Sequence, residues 1–269
     1  NRYLQSIETY YPDVTHGMLS GKAVSQFCED KSGNIWIATE DGGINYFNVK
    51  TKQITQPIQT TYHNTHALLI DDENLWIGTF SRGIDIYNIH TRKLTNYRSD
   101  ATDENTLNDD CVFSLHKTRS GDIYVGTPVG LNKFDRANGK FQRIHEVAGF
   151  IYDIKEDESG NIWIAAYGGG VIKYDTSKKS WIHYSDILPE EHPIVKSKLT
   201  DIHIDNQKRV IFSSEGRGIF IYEPQKDNFR NISEADGLPN NVVYGVLDDP
   251  FGNLWLSCNK GIVNFNSDT

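Results

Sequence analysis

Cysteine is scarce in this chain of 269 residues, and the three present, Cys28, Cys111 and Cys258, are odd in number and show no CxxC spacing. That pattern argues against both a disulfide framework and a cysteine zinc site. All three read as buried or half-buried small residues. Long apolar runs are missing too: the longest, such as Ala67 to Ile70 and Ile162 to Ala166, fall far short of the roughly 20 residues a membrane-spanning helix needs. Direct membrane insertion is therefore not expected. Positive charge is in deficit, with 27 Lys and Arg against 36 Asp and Glu for a net charge of −9, so the surface as a whole repels phosphate backbones and anionic headgroups. Nucleic acid is not an expected partner. The chain opens Asn1-Arg2-Tyr3, without an initiator Met or an apolar leader, as a processed protein or a segment of a longer one does. No stretch carries helical periodicity, and no domain boundary is visible, so residues 1–269 read as one domain. With 38% apolar and 12% aromatic residues, that domain buries a sizeable core.

What is present in abundance is repetition. Six segments align: GNIWIATEDGGINYFN from Gly33, ENLWIGTFSRGIDIYN from Glu73, GDIYVGTPVGLNKFD from Gly121, GNIWIAAYGGGVIKYD from Gly160, KRVIFSSEGRGIFIYE from Lys208 and GNLWLSCNKGIVNFN from Gly252. The place of Trp36 recurs as Trp76, Tyr124, Trp163, Ile211 and Trp255, at spacings of 40, 48, 39, 48 and 44 residues, about 44 on average. One four-stranded propeller blade has that length. The pattern predicts four short strands per repeat. A first strand ends in an acidic turn, as at Asp30-Lys31-Ser32-Gly33; a second, as Ile35-Trp36-Ile37-Ala38, is apolar on both faces. A third follows a Gly-rich loop, and a fourth carries an apolar pair three apart, such as Leu94 and Tyr97. The second strands' tryptophans are expected to be buried between blades. The fold class is thus all-β, a propeller of four-stranded blades with six repeats. Asn1 to Tyr10, with Ile7 and Tyr10 three apart, reads as a lone fourth strand that completes the last blade and closes the ring.

The run Gly237-Leu238-Pro239-Asn240-Asn241-Val242, then Asp248-Asp249-Pro250-Phe251-Gly252-Asn253-Leu254-Trp255, then Gly261-Ile262-Val263-Asn264-Phe265, resembles the regulator-propeller repeat of the periplasmic sensor region of hybrid two-component histidine kinases. Departures stand at Glu73, Lys208 and Ile211, where the turn Gly or the Trp is lost. The resemblance implies a periplasmic location, neighbouring propeller and β-sandwich domains in the parent protein as partners, and kinase machinery outside this segment. It also implies that such propellers are commonly seven-bladed, against the six repeats counted here.

The loops between second and third strands share one propeller face with the segments entering each first strand. There Phe80, Arg82, Tyr167, Arg217, Asn259 and Lys260 form the candidate ligand-binding set, because aromatic rings stack on sugar faces and Arg offers a planar fork for carboxylate or sulfate. His66, His116 and His203 fall on first strands, yet no HExxH or compact ligand set accompanies them, so no metal is assigned. The recurrent turn aspartates Asp30, Asp71, Asp157 and Asp248 to Asp249 lack the ligand spacing of an EF-hand and read as turn stabilisers. Gly168-Gly169-Gly170 has no Lys-Ser/Thr after it and is a tight loop. No nucleophile elbow occurs and no cofactor is implied. The expectation is a non-catalytic extracytoplasmic sensor propeller with an oligosaccharide ligand. The alternatives are a rim-site hydrolase or lyase on the same fold and a structural spacer or docking domain.

Overall fold

The computed structural model describes residues 9–12 and 18–266. The chain divides into two compact units, Asn1–Arg98 with Asp110–Val112 and Ser99–Asp109 with Phe113–Thr269. Their sheets are the blades of a β-propeller fold, six in all, each an antiparallel meander in chain order.

The first unit holds two blades. Blade one runs Val24–Glu29, Ile35–Thr39, Gly43–Asn48 and Gln53–Thr55, and blade two Thr65–Asp71, Asn74–Thr79, Ile84–Asn88 and Leu94–Tyr97. Its core lies between the two sheets, where Trp36, Ile44 and Ala38 of one meet Leu68, Leu75, Ile77 and Tyr87 of the other. Burying each such apolar side chain contributes about 1.5–3 kcal/mol. The expected closing strand over Asn1 to Tyr10 lies, apart from Thr9 and Tyr10, outside the described residues; the Tyr10 ring packs edge-on against Phe47 at 5.1 Å.

The second unit holds four blades. Blade three is Ser114–Lys117, Ile123–Gly126, Gly130–Asp135 and Lys140–Ala148; blade four is Ile151–Glu156, Ile162–Ala166, Gly170–Asp175 and Ser180–His183. Blade five is Leu199–Ile204, Val210–Ser214, Ile219–Glu223 and Asn228–Ile232, and blade six has three described strands, Val243–Asp248, Asn253–Cys258 and Gly261–Asn266. Separate apolar clusters fill the spaces between successive sheets, the largest around Trp163, Tyr184, Phe212, Phe220 and Phe229. One helical turn, Tyr184–Ile187, interrupts the strand pattern after blade four, and its Tyr184 is wholly buried in that cluster.

The acidic turns work as expected. The Asp157 carboxylate accepts from the Ser159 and Asn161 amides, both at 2.9 Å, from Asn161 Nδ2 at 2.9 Å and from Trp163 Nε1 at 2.8 Å. A single side chain therefore closes the turn and anchors the indole of the following strand. Asp249 repeats all four contacts in blade six. A glycine opens or directly precedes each third strand for a related reason. At Gly83 and Gly218, φ is +71° and +75°, and a Cβ there would stand 2.0 and 2.1 Å from the Tyr97 and Ile232 carbonyl oxygens.

Trp36, Trp76 and Trp163 are buried as expected, but Trp255 is 44% exposed. The correction extends to its sheet: in blade six Leu254, Leu256 and Val246 turn into the cluster shared with blade five, while Leu247, Trp255 and Ile262 face the other way and are exposed. Alternation makes a strand's two faces independent, so an apolar residue is buried only where another layer covers its face. The three cysteines are free thiols of intermediate exposure, and burial pushes the Cys28 thiol up to about 12.

Candidate functional site

Every blade but the third slips its register by one residue between first and second strands, passing over Ser25, His66, Tyr152, Thr200 and Tyr244. Phe113 holds the equivalent place in blade three. A bulge of this kind removes one residue from the ladder and re-aims its side chain. Backbone groups beside the bulges are taken up by the preceding blade: the Leu68 amide donates to Gln26 Oε1 at 2.6 Å, and the Ile202 amide to Asp153 Oδ2 at 3.0 Å. Ser25 and Thr200 donate their hydroxyls to the Thr65 and Val243 carbonyls of the following blade, at 2.6 and 2.9 Å, whereas the larger bulged residues meet the loop between second and third strands of their own blade. His66 lies 5.6 Å from Phe80, Tyr152 stacks on Tyr167 at 5.8 Å with the planes 25° apart, and Tyr244 donates to Asn259 Oδ1 at 2.8 Å.

In the second unit these contacts build a group of four rings. Phe150 lies 4.5 Å from Phe113 and 5.7 Å from both Tyr152 and Tyr167, and Phe113 lies 5.9 Å from Tyr152. All four rings are half-buried, so each keeps part of its surface toward solvent. Polar groups flank them. Lys198 Nζ stands 5.3 Å above the Tyr167 ring, a cation–π contact, and the Tyr167 hydroxyl donates to the Glu215 carboxylate. That bond holds the Tyr167 phenol above its ordinary pKa. The backbone fixes the arrangement, since the Tyr167 amide donates to the Phe150 carbonyl and the Glu215 amide to the Lys198 carbonyl, each at 2.8 Å.

Of the six residues expected from sequence, Tyr167 alone belongs to this group. Arg217 is exposed, its amide bound to Ser214 Oγ at 3.1 Å and its carbonyl accepting from Asn231 Nδ2 at 2.7 Å. Asn259 is occupied by Tyr244, and Lys260 is exposed. Phe80 and Arg82 belong to the first unit, where Phe80 is exposed and packs on His66 while Thr79 Oγ1 holds the Arg82 amide at 2.9 Å. The residues missed by sequence reasoning, Phe113, Phe150, Tyr152 and Lys198, all sit where the chain enters a first strand. The signal for them was an aromatic residue directly after the buried Val112 and Ile151.

The first strands also carry charge inward. Lys155 Nζ pairs with Asp153 Oδ1 at 2.9 Å, and burial together with the Asp153 charge raises the Asp201 carboxyl above the usual range. His203 Nε2 and Asp248 Oδ1 are 2.9 Å apart. His116 is lowered to about 4 by burial and by the Lys155 charge. Among the described residues no group of three or more His, Cys, Asp or Glu side chains converges on a point where a metal ion would sit.

Four-stranded blade sheets with bulged first strands and Asp-clamped turns define the β-propeller class of fold. The family model described as two component regulator propeller matches residues 18–41, 146–168 and 237–260 of this chain. It is similar to histidine kinase P4 of Formosa agariphila, 24% identical, with 44% of this chain aligned to 12% of that protein. Among solved structures it resembles the extracellular domain of BT4673 from B. thetaiotaomicron, described as a one component system, with TM-score 0.75, 20% identity, and 90% of this chain covering 32% of that one. It also resembles virginiamycin B lyase from Staphylococcus aureus, with TM-score 0.67, 13% identity, and 92% of this chain covering 85% of the lyase. Identities this low make both structural likenesses statements about fold.

Proposed function

We propose that this chain is the ligand-recognition propeller of a two-component sensing protein, lies outside the cytoplasm, and binds a glycan fragment through the Tyr167 face without turning it over. The observation that carries this reading is the group of four half-buried rings flanked by Lys198 and Glu215. Ring faces pack against the C–H faces of a sugar, while a cation and a carboxylate at the edge supply directional hydrogen bonds to its hydroxyls. Support for the signalling context comes from the regulator-propeller repeats, from the histidine kinase relative and from the extracellular domain that shares the fold. The neighbouring propeller and β-sandwich domains expected of the parent protein would read out the occupied state.

Arg217, Asn259 and Lys260 remain in the proposal as loop residues of the same unit, with Arg217 in the same loop as Glu215, while Phe80 and Arg82 are proposed by themselves as ligand-facing loop residues of the first unit. Calorimetry of the isolated chain against neutral, uronate and sulfated oligosaccharides tests it. Tyr167→Ala is expected to weaken binding at least tenfold, about 1.4 kcal/mol, and Arg217→Ala to weaken only the charged ligands, in a salt-sensitive way. Binding indifferent to Tyr167→Ala, or cleavage of the sugar by the isolated chain, removes the reading. The lyase that shares the fold makes the second outcome a direct assay for the catalytic alternative.

A further inference from the structure

The ring face of the second unit changes character from one blade to the next. Its segments between second and third strands read Thr127-Pro128-Val129 in blade three, Tyr167-Gly168-Gly169 in blade four and Glu215-Gly216-Arg217-Gly218 in blade five, so charge enters only at the third of them. The ring contacts run in the same order: Phe113 to Phe150 at 4.5 Å, Phe150 to Tyr167 at 5.7 Å, and the Tyr167 ring to the Lys198 ammonium at 5.3 Å. Lys198, Glu215 and Arg217 are exposed, and the Tyr167 hydroxyl donates to Glu215. One end of the face is therefore apolar and the other is charged.

Backbone pairing fixes the apolar end. The Gly149 amide donates to the Val129 carbonyl at 3.3 Å and the Ile151 amide to the Thr127 carbonyl at 2.9 Å, which sets the blade-three loop alongside Phe150. Two polar side chains of that blade turn inward: Thr127 and Asn132 are 0% exposed, and both donate to Asn108 Oδ1 at 2.8 Å. Val129, by contrast, is 50% exposed. Phe113 and Phe150 meet at 67°, an edge-on corner, whereas Tyr152 and Tyr167 lie within 25° of parallel. A sugar ring pressed into that corner turns its hydroxyls toward hydrocarbon and pays the desolvation cost of each unpaired group, while an acyl or aryl group gains by its burial there.

We infer that this face takes a saccharide carrying an apolar substituent, an acyl or aryl group, which seats against Phe113, Phe150 and Val129 while the sugar's hydroxyl and acid groups meet Lys198 and Glu215 beyond the Tyr167 ring. The inference rests on the reading of this face as a glycan site and adds the class of glycan. A bare sugar leaves the corner unfilled, and a plain hydrocarbon covers Lys198 and Glu215 without pairing them. Only a ligand with both halves matches the order of the three blades.

Calorimetry of the whole chain with phenyl β-D-glucuronide, methyl β-D-glucuronide and phenol as separate probes tests this. The phenyl glycoside is expected to bind at least tenfold more tightly than the methyl one. Phe150→Ala is expected to bring that ratio to about one, and Val129→Ser, at an exposed position that does not threaten folding, to lower it severalfold. The ratio, taken on one preparation, is not moved by a general loss of folded protein. Equal dissociation constants for the two glycosides, or a preference that survives both substitutions, overturn the inference and leave the glycan reading standing. Phenol binding as tightly as the phenyl glycoside overturns both, since the sugar then contributes nothing. Binding of neither glycoside by a chain that binds unsubstituted oligosaccharides overturns the inference alone, and a chain that binds no sugar at all overturns both.

Discussion

Asp157 and Asp249 offer a clean measurement of what an acidic turn is worth, since the same carboxylate geometry serves two indoles of different burial. Each accepts two turn amides, an asparagine amide and an indole N–H. On substitution by alanine, the turn amides regain water at little net loss, which we put at about 1 kcal/mol in total. The Trp163 indole cannot, because Trp163 is 0% exposed, so its N–H is stranded at a further cost of about 2 kcal/mol. Trp255 is 44% exposed and rehydrates. Asp157→Ala should therefore cost about 3 kcal/mol and Asp249→Ala about 1 kcal/mol. At about 2–4 °C per kcal/mol for a unit of this size, the first lowers Tm by roughly 6–12 °C and the second by roughly 2–4 °C. Both residues lie in the second unit, so one melting transition followed by near-ultraviolet circular dichroism reads both. Equal losses would refute the reasoning, because burial of the indole would then not set the magnitude.

Trp163→Ala should cost about 3–5 kcal/mol in urea denaturation and Trp255→Ala no more than about half of that, in line with their burial; the reverse order would place the wrong faces of blades four and six inward. Burial and Lys155 lower His116 to about 4, below the unfolded value of about 6.5, so the unfolded chain takes up the proton first and stability is lost as pH falls from 6.5 toward 4. The raised Asp201 carboxyl acts with the opposite sign, losing stability as pH rises, so the effect is read as wild type minus His116→Leu: up to about 3 kcal/mol between pH 7 and pH 4, with parallel pH profiles as the refuting result. Arg143, largely buried, donates to the carbonyls of Asp100, Asp103, Thr106 and Leu107, which ties down the segment from Ser99 to Asp109. Arg143→Ala should speed limited proteolysis within that segment at least tenfold while cleavage elsewhere is unchanged, and an unaltered cleavage rate would show that the carbonyl contacts do not order it.

The blade was legible in the sequence because its determinants are local. An Asp followed by Gly-Asn closes a turn within five residues, the alternation of side chains needs only a strand, and a period of about 44 residues repeats both, so the all-β propeller class follows from residues that are near neighbours. Of the recurrent aspartates, Asp30, Asp157 and Asp249 clamp their own turns as expected, whereas Asp248 reaches the neighbouring blade, accepting from the Asn206 amide at 3.0 Å. Which apolar face meets another layer is not local, and Trp255 shows the difference: its segment reads like that of Trp163, yet Trp163 is wholly buried and Trp255 is half exposed. The ring group was hidden for a similar reason. Phe113, Phe150, Tyr152 and Tyr167 come from two blades, and the bulge that turns Tyr152 toward Tyr167 exists only once strands are paired.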